Sequence, residues 1–281
     1  MNNRPMTARN IDMSKVTFVA GPAKAGRNPS INMKYDGQNL QVLVPRAGFP
    51  GGVMVRQDEQ SGSTSYTMMG SMKNCDPYAV ERSTDDSEMG HFYNFLLDLE
   101  ALVLKSANEN SVKWFGKKRS DEAIKDGWKR IIGVSNDKVD GEYIPNGKYP
   151  PSFRVKVPVY DNRVSTEIVD GERNPVYATP ESLTSIFPKG VECKMTISGS
   201  IYVIAGGGFG VTWRLQTAQA FARARLTAAD IYSAEDDEEE TPATQPEESQ
   251  RPSTPVDQPI TQSDSAPAAP ARKRRAAVAS Q

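Results

Sequence analysis

The chain has 281 residues, a formal net charge of −1, two cysteines and one histidine. No run approaches the roughly 20 apolar residues of a membrane span, and the polar N-terminus lacks a signal-peptide core, so we expect neither membrane contact nor secretion. Two distant cysteines and one histidine exclude a disulfide framework and a His/Cys zinc cluster. We therefore predict no metal, no cofactor and no catalytic residue, and expect that the protein is not an enzyme.

The composition divides the chain into three segments. Residues 1–14 are polar and are predicted to be flexible. Residues 15–232 carry the apolar periodicities of a folded domain. Residues 233–281 contain no aromatic residue and consist mostly of acidic residues, Pro, Ser, Thr, Gln and Ala. Such a tail cannot bury enough apolar surface to offset its ordering entropy, so it is predicted to be disordered.

The first part of the domain alternates like β-strands. A strand is predicted at VTFVA, and Asp36-Gly37 between two alternating runs predicts a hairpin. The turn-forming residues 45–52 predict a loop, followed by short strands around residues 53–56 and 65–69.

The middle of the domain has helical periodicity. In HFYNFLLDLEALVLK, apolar residues recur every three or four positions, which predicts an amphipathic helix. A second helix is predicted from the N-cap Ser120 to Ile132, so that a helical insertion covers about residues 89–132. Strands follow, with one short helix at PESLTSIF and a glycine-rich turn within residues 205–210. The predicted fold is mainly β with inserted helices, either a barrel or a sandwich.

Basic and aromatic residues are interleaved through the domain, the mixture that single-stranded nucleic-acid binders use to follow a phosphate backbone and stack on bases. Strand alternation places Arg154 and Lys156 on one face, whereas Trp213 falls on the apolar face of its strand and is predicted to be core. A solvated sheet face explains the same pattern, and both interpretations stay open. The candidate binding residues are Lys117, Lys118, Arg154, Lys156, Tyr160, Lys194, Tyr202 and Arg214.

The tail holds two charged clusters. Its ten acidic and five basic residues leave the rest of the chain at +4. An acidic tail tethered to a mildly basic body can occupy a surface that would otherwise bind a polyanion. The basic cluster matches a nuclear-import signal, with a second anion contact as the alternative. The acidic tract is Glu235, Asp236, Asp237, Glu238, Glu239 and Glu240, and the basic cluster is Arg272, Lys273, Arg274 and Arg275.

Six segments provide a further signal through their order along the chain. They are INMKYDGQNLQVLVP, GFPGG, NSVKWFGKK, YPPSFRVKV, TPESLTSIFPKG and IYVIAGGGFGVTWRLQ. Together they resemble the single-stranded DNA-binding proteins of large nucleocytoplasmic DNA viruses, a group related to the short-tailed coliphage single-stranded DNA-binding protein family. The resemblance implies an OB-type β-barrel, sequence-independent binding of single strands, and an acidic tail that contacts replication proteins such as a viral DNA polymerase or helicase.

The expected function is therefore sequence-independent single-stranded DNA binding in viral DNA replication, recombination or repair, by a monomer or a homodimer. The chain departs from the phage pattern because its acidic tract is internal and is followed by a Pro-rich stretch and the basic cluster. That cluster suits entry into a host nucleus, so we expect the host nucleus or a viral replication site, with packaging in the virion as a further location. The alternative is a non-catalytic virion structural protein.

Overall fold

The structure is a computed structural model that describes residues 4–22, 29–60 and 62–221. The acidic tract and the basic cluster of the tail lie outside the described residues. Within the described part of the chain, no helix is both long enough and apolar enough to cross a membrane.

Short strands and two 3-10 turns, Ala8–Asn10 and Met13–Lys15, precede the helices. Residues 1–14, predicted to be flexible, thus include structured residues, because Met6–Thr7 pairs in parallel with Val42 and Leu43 and Ala8 is buried. These strands are β1 (Met6–Thr7), β2 (Val16–Ala20), β3 (Ile31–Tyr35), β4 (Gln38–Asn39), β5 (Gln41–Phe49), β6 (Val53–Gln57) and β7 (Thr64–Ser71).

Turn-forming residues correctly predict the hairpin in this region but predict the following loop only in part. The predicted hairpin is confirmed, because Asp36 and Gly37 have φ values of +49° and +79° and join the paired strands β3 and β4. The loop predicted at residues 45–52 is wrong over its first half, since β5 continues through Pro45. Pro45 is tolerated there because the register of β5 with its neighbour shifts at this point, where a proline need not donate to the ladder.

The helical insertion consists of α1 (Glu88–Glu109), α2 (Ser111–Phe115) and α3 (Asp121–Gly127). The predicted N-cap Ser120 is confirmed, since its hydroxyl accepts the N–H of Ala123 at 3.3 Å. The second helix ends at Gly127 and not at Ile132, because the chain from Trp128 onward becomes extended and pairs with strands of the main sheet.

The rest of the described chain is again mainly β, as predicted, with one short helix, α4 (Leu183–Ile186). Its strands are β8 (Trp128–Lys129), β9 (Ile132–Gly133), β10 (Asn136–Val139), β11 (Glu142–Pro145), β12 (Ser152–Val157), β13 (Val159–Tyr160), β14 (Arg163–Val164), β15 (Glu167–Val169), β16 (Pro175–Val176), β17 (Val191–Val203) and β18 (Phe209–Phe221).

Five strands of the described part close into a ring. β17 pairs with β5 on one edge and β18 on the other, β18 pairs with β12, and β12 pairs with β7. A single pair, Gly48 with Ser71, joins β7 to β5 and completes the ring. The pairing of β12 with β18 is parallel and the other four are antiparallel. The prediction of a mainly β fold with inserted helices is confirmed, and five strands in a partly open ring are the arrangement of an OB-type barrel.

Helix α1 packs aromatic side chains into the core inside the ring of strands. The ring of Phe92 lies 5.1 Å from that of the fully buried Phe153, and Phe95 lies 6.5 Å from Trp213. Trp213 is 2% exposed, which confirms its prediction as a core residue. The apolar stripe of α1 and the inward-facing residues of the strands therefore form one core, which leaves the outward strand face to polar side chains.

Removing the ring of Phe153 tests this core directly. Phe153→Ala should lower the free energy of unfolding by about 3–5 kcal/mol, because the lost ring contacts both Phe49 and Phe92 and leaves a cavity. Chemical denaturation followed by tryptophan fluorescence measures the change. Tyr177→Ala is the control, since Tyr177 is 93% exposed and should change stability by less than about 0.5 kcal/mol. Equal effects of the two substitutions would contradict this description of the core.

Candidate nucleic-acid interface

A row of polar side chains crosses the outward face of the ring. Lys156 of β12 is the parallel neighbour of Arg214 of β18, and Arg214 pairs on its other side with Ser198 of β17. Lys156 pairs in turn with Thr67 of β7. Because paired residues on neighbouring strands project to the same side, the two cations lie side by side on rigid strands.

The cations of this face differ in what they contact. The Arg214 guanidinium donates from Nη1 to Ser200 Oγ at 2.7 Å, so it is anchored to the sheet. Arg154 and Lys156 are exposed and form no ion pair or side-chain hydrogen bond with any residue that the structure describes. Like charges on adjacent strands are destabilising, so the pairing of Lys156 with Arg214 carries a cost that a bound anion would relieve.

Carboxylates are confined to one end of this face. Among the described positions, the face from Ser198 to Tyr202 on β17 and the positions paired with it on β18 and β12 include no acidic residue. At the other end, Glu167 pairs with Thr217 of β18, and Glu192 accepts a hydrogen bond from Arg46 at 2.8 Å. The half of the face that contains Lys156 and Arg214 is therefore the electropositive half.

Tyr202 lies beyond this row, towards the turn between β17 and β18, and is 36% exposed. It pairs with Gly210, which is also the parallel neighbour of Lys129 in β8. A Cβ at Gly210 would lie 2.8 Å from Tyr202 Oη and 3.1 Å from Lys129 Cβ. The absence of a side chain at this position allows the phenol to lie across β18 towards the stem of Lys129.

A groove opens beside Tyr202, where β8 and β9 are inserted between β18 and β12. Its volume is about 410 Å³, and both Arg154 and Tyr202 line it. Trp213 also lines the groove, and its indole Nε1 is buried with no hydrogen-bond partner among the described residues. The groove thus combines cationic side chains with the partly exposed aromatic ring of Tyr202. Its remaining lining residues are Met69, Lys129, Arg130, Ile131, Gly133, Ser152 and Val211.

The other predicted residues lie away from this cluster. Lys194 is on the same face but pairs with Gln219, eight residues from Tyr202 and about 26 Å along the strand. Tyr160 lies on the separate hairpin formed by β13 and β14. Lys117 and Lys118 are exposed in the connection between α2 and α3. The structure therefore brings together Arg154, Lys156, Tyr202 and Arg214, and their role in binding stays a prediction.

Two tryptophans that the sequence places beside basic residues are not available for stacking. Trp114 is 1% exposed and packs edge-on against Phe18 at 5.9 Å. Trp128 is buried and donates from Nε1 to Glu100 at 2.7 Å. Basic neighbours in the sequence therefore do not mark these indoles as binding residues.

Titratable groups outside this face have structural explanations. His91 shares a 2.9 Å hydrogen bond with Asp86, and this bond is the largest cause that holds the pKa of Asp86 below its usual value. Burial raises the pKa of Cys193 to about 12 and that of Cys75 to about 11, so both thiols are protonated and weakly reactive at neutral pH. Among the described residues, no group of three or more His, Cys, Asp or Glu side chains is placed to hold a metal.

Sequence reasoning did not include Lys129 and Gly210 among the site residues. Lys129 becomes a candidate because β8 pairs with β18 next to Tyr202. That pairing is parallel and joins residues far apart in sequence, so it leaves no local signal. Gly210 belongs to a glycine-rich segment that the sequence explains as a turn, and its contact with Tyr202 is apparent only in three dimensions.

Comparison with solved structures finds distant structural likenesses, among them two bacteriophage proteins. The crystal structure of gp2.5, a single-stranded DNA-binding protein encoded by bacteriophage T7, has 13% identity, covers 73% of this chain and 100% of that chain, and gives a TM-score of 0.42. A C-terminally truncated single-stranded DNA-binding protein from bacteriophage Enc34 has 11% identity, covers 76% and 99%, and gives 0.34. No protein-family model and no curated protein matches the chain. At these scores the likeness alone assigns no function.

The anchored and the unpaired cation of the row should respond differently to truncation. Arg214→Ala should lower the free energy of unfolding by about 1–2 kcal/mol, because the buried Ser200 hydroxyl loses its partner. Lys156→Ala should change it by less than about 0.5 kcal/mol, since the ammonium has no partner to lose. Urea denaturation of both variants measures the difference. A larger loss for Lys156→Ala would show that Lys156 is the structural cation.

Proposed function

We propose that this protein binds single-stranded DNA without sequence preference and that it is not an enzyme. The observation that carries the proposal is the pairing of Lys156 with Arg214 on adjacent strands, with no carboxylate among the described residues of the surrounding half of the face. Two cations side by side favour a ligand with closely spaced negative charges, which a phosphodiester backbone provides.

The groove beside the row supports a single strand as the ligand. Tyr202 offers a partly exposed ring at its edge, and stacking of a base on an aromatic side chain is worth about 1–3 kcal/mol. In a duplex the faces of the bases are stacked on one another, so a side chain that binds by stacking selects unpaired bases.

The biological setting belongs to the same proposal. The six-segment resemblance supports a role in replication, recombination or repair of a viral DNA, with a polymerase or helicase as the partner of the acidic tail. The basic cluster supports a location in the host nucleus or at a viral replication site. A virion structural protein would make no use of unpaired cations on a strand face and would not distinguish single strands from duplex, so the same titration separates the two functions.

Fluorescence anisotropy of a labelled oligo-dT, competed with duplex DNA at two salt concentrations, tests the proposal. We expect tight binding that weakens with salt and survives duplex competition. Lys156→Ala should weaken binding and reduce the slope of log K against log salt by about 0.7, the value for one phosphate contact with a single strand. Tyr202→Ala should weaken binding with little change in that slope.

Lys138→Ala is the matched control, because Lys138 is an exposed lysine on the separate hairpin formed by β10 and β11. It should leave both affinity and slope unchanged. Absence of oligo-dT binding by the unmodified protein, or equal competition by duplex, would overturn the proposed function. An equal effect of Lys138→Ala and Lys156→Ala would show that the strand face has no special role.

We further propose that the acidic tract competes with DNA for this face. Glu235 follows Phe221, the last residue of β18, by 14 positions, and 14 residues span roughly 20 Å as a random coil and at most about 46–50 Å when fully extended. Arg214 lies seven residues before Phe221 on the same strand, about 23 Å away. A tail that is disordered, as its composition predicts, is therefore long enough to bring the tract to Lys156 and Arg214.

Deleting residues 233–281 should raise the affinity for oligo-dT, most strongly at low salt, because the competing carboxylates are removed. Deleting residues 241–281 is the matched control, since it keeps the acidic tract and removes the basic cluster. It should not raise the affinity. Anisotropy titration at matched salt measures both, and unchanged or weaker binding after the longer deletion would contradict the competition.

A further inference from the structure

A short basic segment of the helical insertion lies against the turn that joins β17 and β18. Lys117 and Arg119 line a pocket of about 270 Å³ together with Phe115 and the turn residues 203–207. No acidic residue is among those that line this pocket in the described chain. The pocket is therefore a second electropositive site, distinct from the groove beside Tyr202.

The segment is held in place by a buried hydroxyl. Ser111 Oγ accepts the backbone N–H of Arg119 at 2.9 Å and donates to the carbonyl of Lys117 at 3.3 Å. Ser111 is 4% exposed, and Gly116 ends α2 with a φ of +74°. These contacts fix the backbone on both sides of Lys118, so the cations are presented from a positioned segment.

The donors of Arg119 are largely unused. Its Nε is buried with no hydrogen-bond partner among the described residues. Nη1 makes one long bond, 3.4 Å, to the carbonyl of Gly206, and the guanidinium lies 5.0 Å from the centre of the Phe115 ring. Guanidinium donors bind phosphate oxygens with good geometry, and an unpartnered one in a cation-lined pocket marks a site for such an anion.

The glycine turn is shaped to admit this guanidinium. A Cβ at Gly207 would overlap Arg119 Nη1, and the φ of Gly207 is +96°, a conformation that favours glycine. Gly207, the second of three consecutive glycines, is thus explained by its contact with Arg119 as well as by turn geometry. A side chain at this position would push Arg119 out of the pocket.

The pocket lies on the other side of the β17–β18 hairpin from Tyr202. The Phe115 ring contacts Phe209 at 5.2 Å, and Phe209 projects to the core side of β18, opposite Gly210 and its neighbour Tyr202. Tyr202 lines the groove and the next residue, Val203, lines the pocket, so the two sites adjoin at this end of the hairpin. A strand that leaves the groove at Tyr202 and passes over the turn would reach Lys117 and Arg119.

We propose that Lys117 and Arg119 form a second phosphate-binding site, which the backbone of a long single strand occupies after crossing the glycine turn. The inference rests on the proposed single-stranded DNA binding and extends it by adding a path on the helical insertion. Short strands fill the face that contains Lys156 and Tyr202, and only longer strands reach the second site. The contribution of Lys117 to affinity therefore depends on strand length.

Anisotropy titration of Lys117→Ala with oligo-dT of about 6 and about 20 nucleotides tests this dependence. The longer strand should bind roughly fivefold more weakly, with a salt slope lower by about 0.7, and the shorter strand should bind as it does to the unmodified protein. Lys105→Ala, which removes an exposed lysine of α1, is the matched control and should change neither affinity. Gly207→Ala should reproduce the length-dependent loss by displacing Arg119, and circular dichroism and thermal melting establish that the variant is folded.

The outcomes separate this inference from the function on which it rests. If the unmodified protein binds neither strand, the proposed function fails. If it binds both and Lys117→Ala changes neither affinity, or weakens both equally, the second site is overturned while the function stands. A thermal-shift titration with inorganic pyrophosphate completes the test. Stabilisation that Lys117→Ala abolishes, together with an unchanged affinity for the long strand, would assign the pocket to a free phosphate ligand and overturn a site for DNA.

Discussion

The pairing of β17 with neighbours on both edges is the constraint on which the rest of the structure depends. This 13-residue strand pairs with β5 from Val191 to Ser198 and with β18 from Glu192 to Val203, which joins three of the five strands of the ring. Because the side-chain period of a strand is two, the register that buries Ile201 also exposes Tyr202. A slip by one residue would exchange them, so the core and the candidate site are fixed by the same register.

Register irregularities allow these strands to curve and keep the site residues outward. The pairing of β17 with β18 shifts between Thr196 and Ile197, and that of β17 with β5 shifts beside Pro45. Such bulges bend a strand and increase its twist, which ring closure requires. Without the shift between Thr196 and Ile197, the polar residues of β18 before the shift and those after it could not all point outward. The irregularities therefore belong to the architecture that keeps Arg214 on the polar face.

The sequence predicted features whose causes are local and missed those that depend on long-range pairing. Alternation was sufficient to place Arg154 and Lys156 outward and Trp213 inward, and the Asp36-Gly37 turn followed from conformational preference alone. The pairing of Lys156 with Arg214 had no local signal, because parallel neighbours are joined only by tertiary structure. Proximity in sequence was equally misleading for Trp128. Its basic neighbours suggest a stacking residue, but the indole is buried, packs on Phe209 and donates a hydrogen bond to Glu100.

The chemistry of the face also explains why the proposed binding would be independent of sequence. Discrimination between bases requires donors and acceptors held at fixed positions against base edges, as amide and guanidinium groups provide when they are buttressed. Here the guanidinium of Arg214 is bonded to Ser200 and the amide of Gln216 to Ser198, so the buttressed groups are already engaged within the sheet. The side chains left free are the flexible cations Arg154 and Lys156 and the ring of Tyr202. Phosphates and base faces, which every nucleotide has, are what such groups can bind.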